Sequence, residues 1–170
     1  MVRFARLPAV AALAASACLA IVPASAQDDT VAGAAAAVDG DTLIVDGATV
    51  RLMGVDAAEV EQTCSEWHGN VQRDYPCGAQ AAAFLQSLVA GRAVSCVSRG
   101  TAAEDAVLGV CYAAGIDLAE AIANAGWGVP LRDQSVRYVA ASDAARLAQR
   151  GLWAGKFDEP AAWRASHGGD

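Results

Sequence analysis

Carboxylates and an arginine gather between Asp39 and Glu59, at the ends of two short apolar runs. The first group reads Asp39-Gly40-Asp41-Thr42. The second reads Arg51-Leu52-Met53-Gly54-Val55-Asp56-Ala57-Ala58-Glu59. Carboxylate oxygens suit a hard cation, and a guanidinium forks onto phosphate oxygens. A further carboxylate can aim a base at the water between cation and phosphate. Together these residue types describe phosphodiester chemistry. Asp-x-Asp alone would say little, because acidic turns are common and usually only solvated. An EF-hand is excluded: its spaced ligand series and terminal Glu are absent, and strands rather than helices flank the pair.

The elements around these residues have to bring them together. Thr42 to Val45 and Ala48 to Leu52 flank Asp46-Gly47, a strong two-residue hairpin signal because Gly tolerates the positive φ of the turn. Ideal pairing would put Asp41 and Arg51 on opposite faces of that ribbon. A shared site therefore requires the strand ends to bulge or splay. Val31 to Val38 gives an earlier, alanine-rich strand. Glu61 to Pro76 is polar and reads as a loop. A helix is expected from Gly78 to Ala90, with Phe84, Leu85, Leu88 and Val89 at helical spacing and Gly91 as its stop. Strands follow at Val94–Ser98 and Val107–Tyr112. Asp117-Leu118-Ala119-Glu120 opens a second helix that buries Leu118, Ala121, Ile122 and Ala125 and stops at Gly126. A last helix is expected from Ser135 to Arg150, with Trp153, Phe157 and Trp163 pinning the tail. Three strands, a helix, two strands and two helices pack naturally as a small mixed barrel.

Residues 1–26 read as a cleavable signal peptide. Arg3 and Arg6 form a basic start, Leu7 to Val22 an apolar run, and Ala24-Ser25-Ala26 a cleavage site. The run is too short for a favoured membrane span. A lipoprotein cysteine at Cys18 is disfavoured because Ala15, not Leu, lies three residues before it. Residues 27–170 are then a single domain with its core at about 31–164. The expected location is periplasmic or secreted, as a monomer with no membrane attachment after cleavage. Loss of the two leader arginines takes the formal charge from −7 to −9. That charge repels phosphate backbones at long range, so nucleic acid is a partner only if a basic cleft or a bound cation offsets it.

Four cysteines remain: Cys64, Cys77, Cys96 and Cys111. An even count in an oxidising compartment suggests two disulfides, with three connectivities open. Position favours Cys64–Cys77 and Cys96–Cys111, the second pair being nearly symmetric about Ala103-Glu104 in one hairpin register. Closing the 64–77 loop is worth about 3 kcal/mol in the chain-entropy model. A zinc site competes poorly, with no Cys-x-x-Cys pair and with His68 and His167 isolated.

With these motifs in hand, the chain resembles the thermonuclease (staphylococcal nuclease-like) family. Its members typically show Asp-Gly-Asp-Thr on one strand and Arg-Leu-x-Gly-Ile-Asp-x-Pro-Glu on a later one. The likeness continues through Cys77-Gly78, Gly115-Ile116-Asp117-Leu118-Ala119-Glu120 and Arg150-Gly151-Leu152-Trp153. The resemblance implies an α+β fold, an OB-fold five-stranded β-barrel with three α-helices. It also implies calcium-dependent hydrolysis of DNA or RNA. Carried over, Asp41 and Asp56 become Ca2+ ligands with the main-chain carbonyl of Ala57. Glu59 positions or deprotonates the attacking water, and Arg51 binds the scissile phosphate. Asp39 is as readily a turn residue as a functional one.

The match has three gaps. Family members usually carry a second catalytic arginine in a Tyr-Gly-Arg stretch, and here Glu104-Asp105-Ala106 stands in register with it. Ala106 cannot stabilise charge on the phosphate; by analogy with an oxyanion-hole donor the loss costs on the order of 10²–10³ in rate. Where the family often places nucleotide-contacting tyrosines, this chain reads Leu131-Arg132-Asp133-Gln134, leaving Arg132 or Arg99 as possible substitutes. Ala58 stands for the usual proline. Two functions follow: a nuclease, slowed by the change at Ala106, or a non-catalytic OB-fold module that binds calcium or a partner.

Overall fold

The computed structural model describes residues 29–168. The expected leader at 1–26, with Cys18, lies outside the described residues. In chain order the strands are β1 (Thr30–Ala37), β2 (Thr42–Val45), β3 (Ala48–Leu52), β4 (Val55–Ala57), β5 (Cys64–His68) and β6 (Val71–Tyr75). Helix α1 (Cys77–Val89) leads to β7 (Ala93–Thr101), β8 (Val107–Ala113) and β9 (Ile116–Asp117). Then come α2 (Leu118–Ala125), β10 (Gly128–Pro130), α3 (Val139–Leu147), β11 (Gly155–Lys156) and α4 (Pro160–His167).

The main sheet runs β3-β2-β1-β7-β8-β9, and a parallel pairing of β3 with β8 closes it, leaving the short β9 outside the ring. Five strands thus close a barrel, as the expected OB-fold requires. Alternate residues point inward: Leu43 and Val45, Val50 and Leu52, Val94 and Cys96, Cys111 and Ala113 are all buried. Helix α1 covers this core with Ala81, Leu85 and Val89 at four-residue spacing, and α2 adds Leu118 and Ile122. Tyr138 is fully buried and donates its hydroxyl to Asp117 Oδ2 at 3.2 Å.

Local sequence chemistry explains much of this. Asp46 and Gly47 both take positive φ (48° and 85°) in the β2–β3 turn, as a type I′ turn demands. Asp117 caps α2 by accepting from the Glu120 amide at 3.1 Å, and Gly126 ends the helix in the left-handed region. Cys96 and Cys111 are cross-strand partners in the β7–β8 register. Both expected disulfides, Cys64–Cys77 and Cys96–Cys111, are present.

Three expectations need correction. The stretch Glu61 to Pro76 is not a loop: it holds the β5–β6 hairpin, closed by His68 and Val71 about Gly69-Asn70. Gly69 has φ 63° at the first central position, as a type II′ turn requires. The hairpin projects into solvent with β6 exposed over four of its five residues, so no apolar alternation advertised it. The helix expected from Ser135 to Arg150 is shorter, starting only at Val139. Finally, the described residues hold four α-helices where three were expected. Only Pro160 of α4 is buried, so that helix has no periodic apolar face to read.

Candidate active site

The site forms at the barrel rim, where Asp39 ends the pairing of β2. Asp39 Oδ1 accepts from the amides of Asp41 (2.8 Å) and Thr42 (2.7 Å), an Asx turn. Asp39 thus has the turn role. Thr42 and Arg51 are the last residues of the β2–β3 register, and the Leu52 amide still donates to the Asp41 carbonyl at 2.8 Å, so the ladder runs on to Asp41. The Asp41 carboxylate is tied to β4 and to Thr42. Oδ2 accepts from the Ala57 amide at 2.8 Å and Oδ1 from the Thr42 hydroxyl at 2.9 Å. The strand ends do not splay here; Asp41 and Arg51 meet because the long Arg51 side chain brings Nη2 to 3.4 Å from Asp41 Oδ2. Gly40 has no room for a side chain, since a Cβ there would press on Ala57 and Ala81.

Asp56 and Ala57 sit on β4, clamped by antiparallel pairing with β10. Glu59 follows on a turn held by Gln62, whose amide donates to the Glu59 carbonyl at 2.8 Å and whose Oε1 accepts from the Glu59 amide at 3.3 Å. Gly78 packs directly under this turn; a Cβ there would run into the Glu59 carbonyl. Gly78→Ala is accordingly expected to destabilise the fold by about 3 kcal/mol, through forced backbone movement. A urea midpoint unchanged from the parent would show that the turn yields freely.

Two buried carboxylates converge on one guanidinium. Arg51 Nη2 lies 3.1 Å from Asp56 Oδ1 and 3.4 Å from Asp41 Oδ2. Asp41 is 1% exposed and Asp56 2%. Burial pushes the Asp41 carboxyl up to about 7, with the Arg51 charge working against the rise. Burial also disfavours the charge on Arg51, but Asp41 and Asp56 outweigh it and raise the arginine's pKa.

A second guanidinium reaches the same carboxylates from α4. Arg164 Nη1 bonds Asp56 Oδ1 (2.9 Å) and Glu59 Oε1 (2.6 Å), while Nη2 bonds Asp56 Oδ2 (3.0 Å). The Asp56 hydrogen bond is the largest cause of a raised Arg164 pKa, outweighing partial burial. Arg51, Glu59, Glu104, Ala106 and Arg164 line one cavity of about 740 Å³. The position of Ala106 therefore does face the site. Arg132 is exposed and is not part of this cavity, and Arg99 lines a different one with Tyr112 and Arg137. Among the described residues no three His, Cys, Asp or Glu side chains stand grouped to hold a metal ion. Sequence reasoning missed Arg164. Its only flag was the neighbouring Trp163, read as a packing residue for the tail.

Well over half of the chain, residues 49–155, matches the sequence family described as Staphylococcal nuclease homologue. The chain belongs to that family. It is also 31% identical over 128 residues to the succinoglycan biosynthesis protein ExoI of Rhizobium meliloti (strain 1021). That alignment covers 74% of this chain and 65% of the relative. Within the staphylococcal nuclease homologue match fall Arg51, Asp56, Glu59 and Ala106; Asp41 lies before it and Arg164 beyond it. The arrangement at the rim can therefore be divided. Two carboxylates, a rim glutamate and Arg51 meet on the barrel side, and Arg164 joins them from the tail.

Proposed function

We propose that this staphylococcal nuclease homologue is an exported, calcium-dependent phosphodiesterase acting on DNA or RNA. The observation that carries the reading is the convergence of Asp41 and Asp56 on Arg51, with Glu59 in the same cavity. The donor types suit calcium, and an ion would itself have to draw them together, since no three acidic side chains stand grouped among the described residues. The oxygens are hard, two of the carboxylates are buried, and the raised Asp41 pKa marks a carboxylate poorly stabilised by the one guanidinium beside it. Asp41, Asp56 and the Ala57 carbonyl are the residues that would hold the ion. The chemistry a bound calcium supplies is polarisation and partial neutralisation of the phosphoryl group.

The protein groups carry the remaining work. Arg51 presents its guanidinium to a phosphate oxygen, held in place by the two aspartates behind it. Glu59 orients a water and takes its proton as the water oxygen bonds to phosphorus and the ester P–O bond breaks. Export is supported by the two disulfides, which persist in oxidising compartments.

A second reading, a non-catalytic module of the same fold, is favoured by two specific observations. Ala106 leaves the cavity without a second fixed donor, and Arg164 already covers Asp56 and Glu59. Digestion of DNA and of RNA with calcium, compared with chelator, separates the two. Absence of calcium-dependent cleavage at high protein concentration would end the nuclease reading. If cleavage occurs, Ala106→Arg should raise its rate on the order of 10²-fold; an unchanged rate would mean that this wall of the cavity does not face the phosphate.

A further inference from the structure

We propose that α4 is a latch: Arg164 closes the acidic site by forking onto Asp56 and Glu59, and a divalent cation enters only when Arg164 lets go. The inference rests on the calcium reading of the same site.

Three features carry it. The first is competition for the same atoms. Asp56 Oδ1 already accepts from both Arg51 and Arg164, and Oδ2 accepts from Arg164. A carboxylate has about four lone-pair positions, and a calcium ion takes oxygens at roughly 2.3–2.6 Å. Three of those positions are taken, so an ion on Asp56 finds only one left on Oδ2, beside a guanidinium that repels it.

The second feature is how little else holds the helix. In α4 only Pro160 is buried; Trp163 and Arg164 are half-buried and the rest is exposed. Trp163 stacks on His167 of its own helix, with centroids 4.2 Å apart, and not on a barrel aromatic. The Arg164 fork is therefore the main polar tie between α4 and the barrel.

The third is the placement of the pivot. The chain is fixed up to Asp158: β11 pairs with β5, Phe157 meets Trp153 edge-on at 5.1 Å, and Gln62 Nε2 donates to the Asp158 carbonyl at 2.7 Å. Beyond that point lie Glu159 and α4. Gln62 also holds the Glu59 turn, so the pivot and the candidate base share one anchor. The helix can leave without disturbing the residues that bind the ion.

The test is calcium titration by calorimetry of the full chain and of Arg164→Gln and Arg164→Lys, with hydrogen exchange of residues 160–167. Arg164→Gln is expected to bind calcium about 10-fold tighter or more, a common size for coupling between sites, and Arg164→Lys to fall between. The α4 amides should lose protection in Arg164→Gln without metal, and in the parent at saturating calcium. Equal or weaker calcium binding by Arg164→Gln would overturn the latch and make Arg164 part of the loaded site. Protection of α4 unaltered by both calcium and the substitution would overturn it as well. If no variant binds calcium, the metal reading itself fails and takes the coupling with it. That result is distinct from equal binding by all three.

Discussion

Asp41→Asn is expected to make the calcium-free protein more stable at pH 8 while removing its calcium binding. The two effects have one origin. Asp41 is held at 1% exposure, and burial, opposed by Arg51, lifts its carboxyl from 3.8 to about 7. In the unfolded chain the group ionises near its ordinary value. Between about pH 4 and 7 the native state therefore holds more protons at this residue than the unfolded state. By linkage, the contribution of Asp41 to stability is full below pH 4, falls as pH rises, and is lost once pH passes about 7. At about 1.4 kcal/mol per unit the loss amounts to a few kcal/mol. Asparagine carries no charge to desolvate, and its carbonyl can still accept from the Ala57 amide. Urea unfolding in chelator at pH 5 and pH 8 checks this: the stability gap between variant and parent should widen in favour of the variant at pH 8. A gap independent of pH would mean that Asp41 ionises as an ordinary aspartate.

Glu59→Gln carries the second large effect. The substitution keeps the shape and an acceptor for Arg164 but removes the basicity. Loss of a positioned base typically costs about 10²–10⁴ in rate. Cleavage of DNA at saturating calcium should fall by that amount. Calcium affinity should not fall, because the ion-holding oxygens belong to Asp41, Asp56 and Ala57, and a weaker hold on Arg164 favours the ion. A fall of less than about tenfold would take Glu59 out of the role of base. Its carboxylate would then serve chiefly as an anchor for Arg164, to which it is bonded at 2.6 Å.

Both residues belong to a cluster whose proximity was legible in the sequence. Asp41, Arg51, Asp56 and Glu59 were recognisable because they lie within one short stretch, around a hairpin that Asp46-Gly47 announces. The register of β7 and β8 followed from two cysteines spaced evenly about a turn. Helices α1 and α2 followed from apolar periodicity and from the caps at Asp117 and Gly126. Family membership and the barrel rested on these same local signals.

Elsewhere local pattern carried no information. The β5–β6 hairpin buries too little to impose alternation on its residues. Helix α4 has no apolar face. The bonds from Arg164 to Asp56 and Glu59 span 108 and 105 residues, a separation at which spacing says nothing about proximity.

The sequence by itself determined the chemical types at the rim, the turn that presents them and the pairing of the cysteines. These depend on interactions between neighbours along the chain, or between strands joined by one turn. Tertiary structure alone decided that Asp41 meets the Ala57 amide and Arg51, that burial pushes its carboxyl towards neutrality, and that a guanidinium from the tail closes over Asp56 and Glu59. Each of these depends on closing the barrel and docking the tail against it, which sets the distances and the exclusion of water that no local pattern encodes.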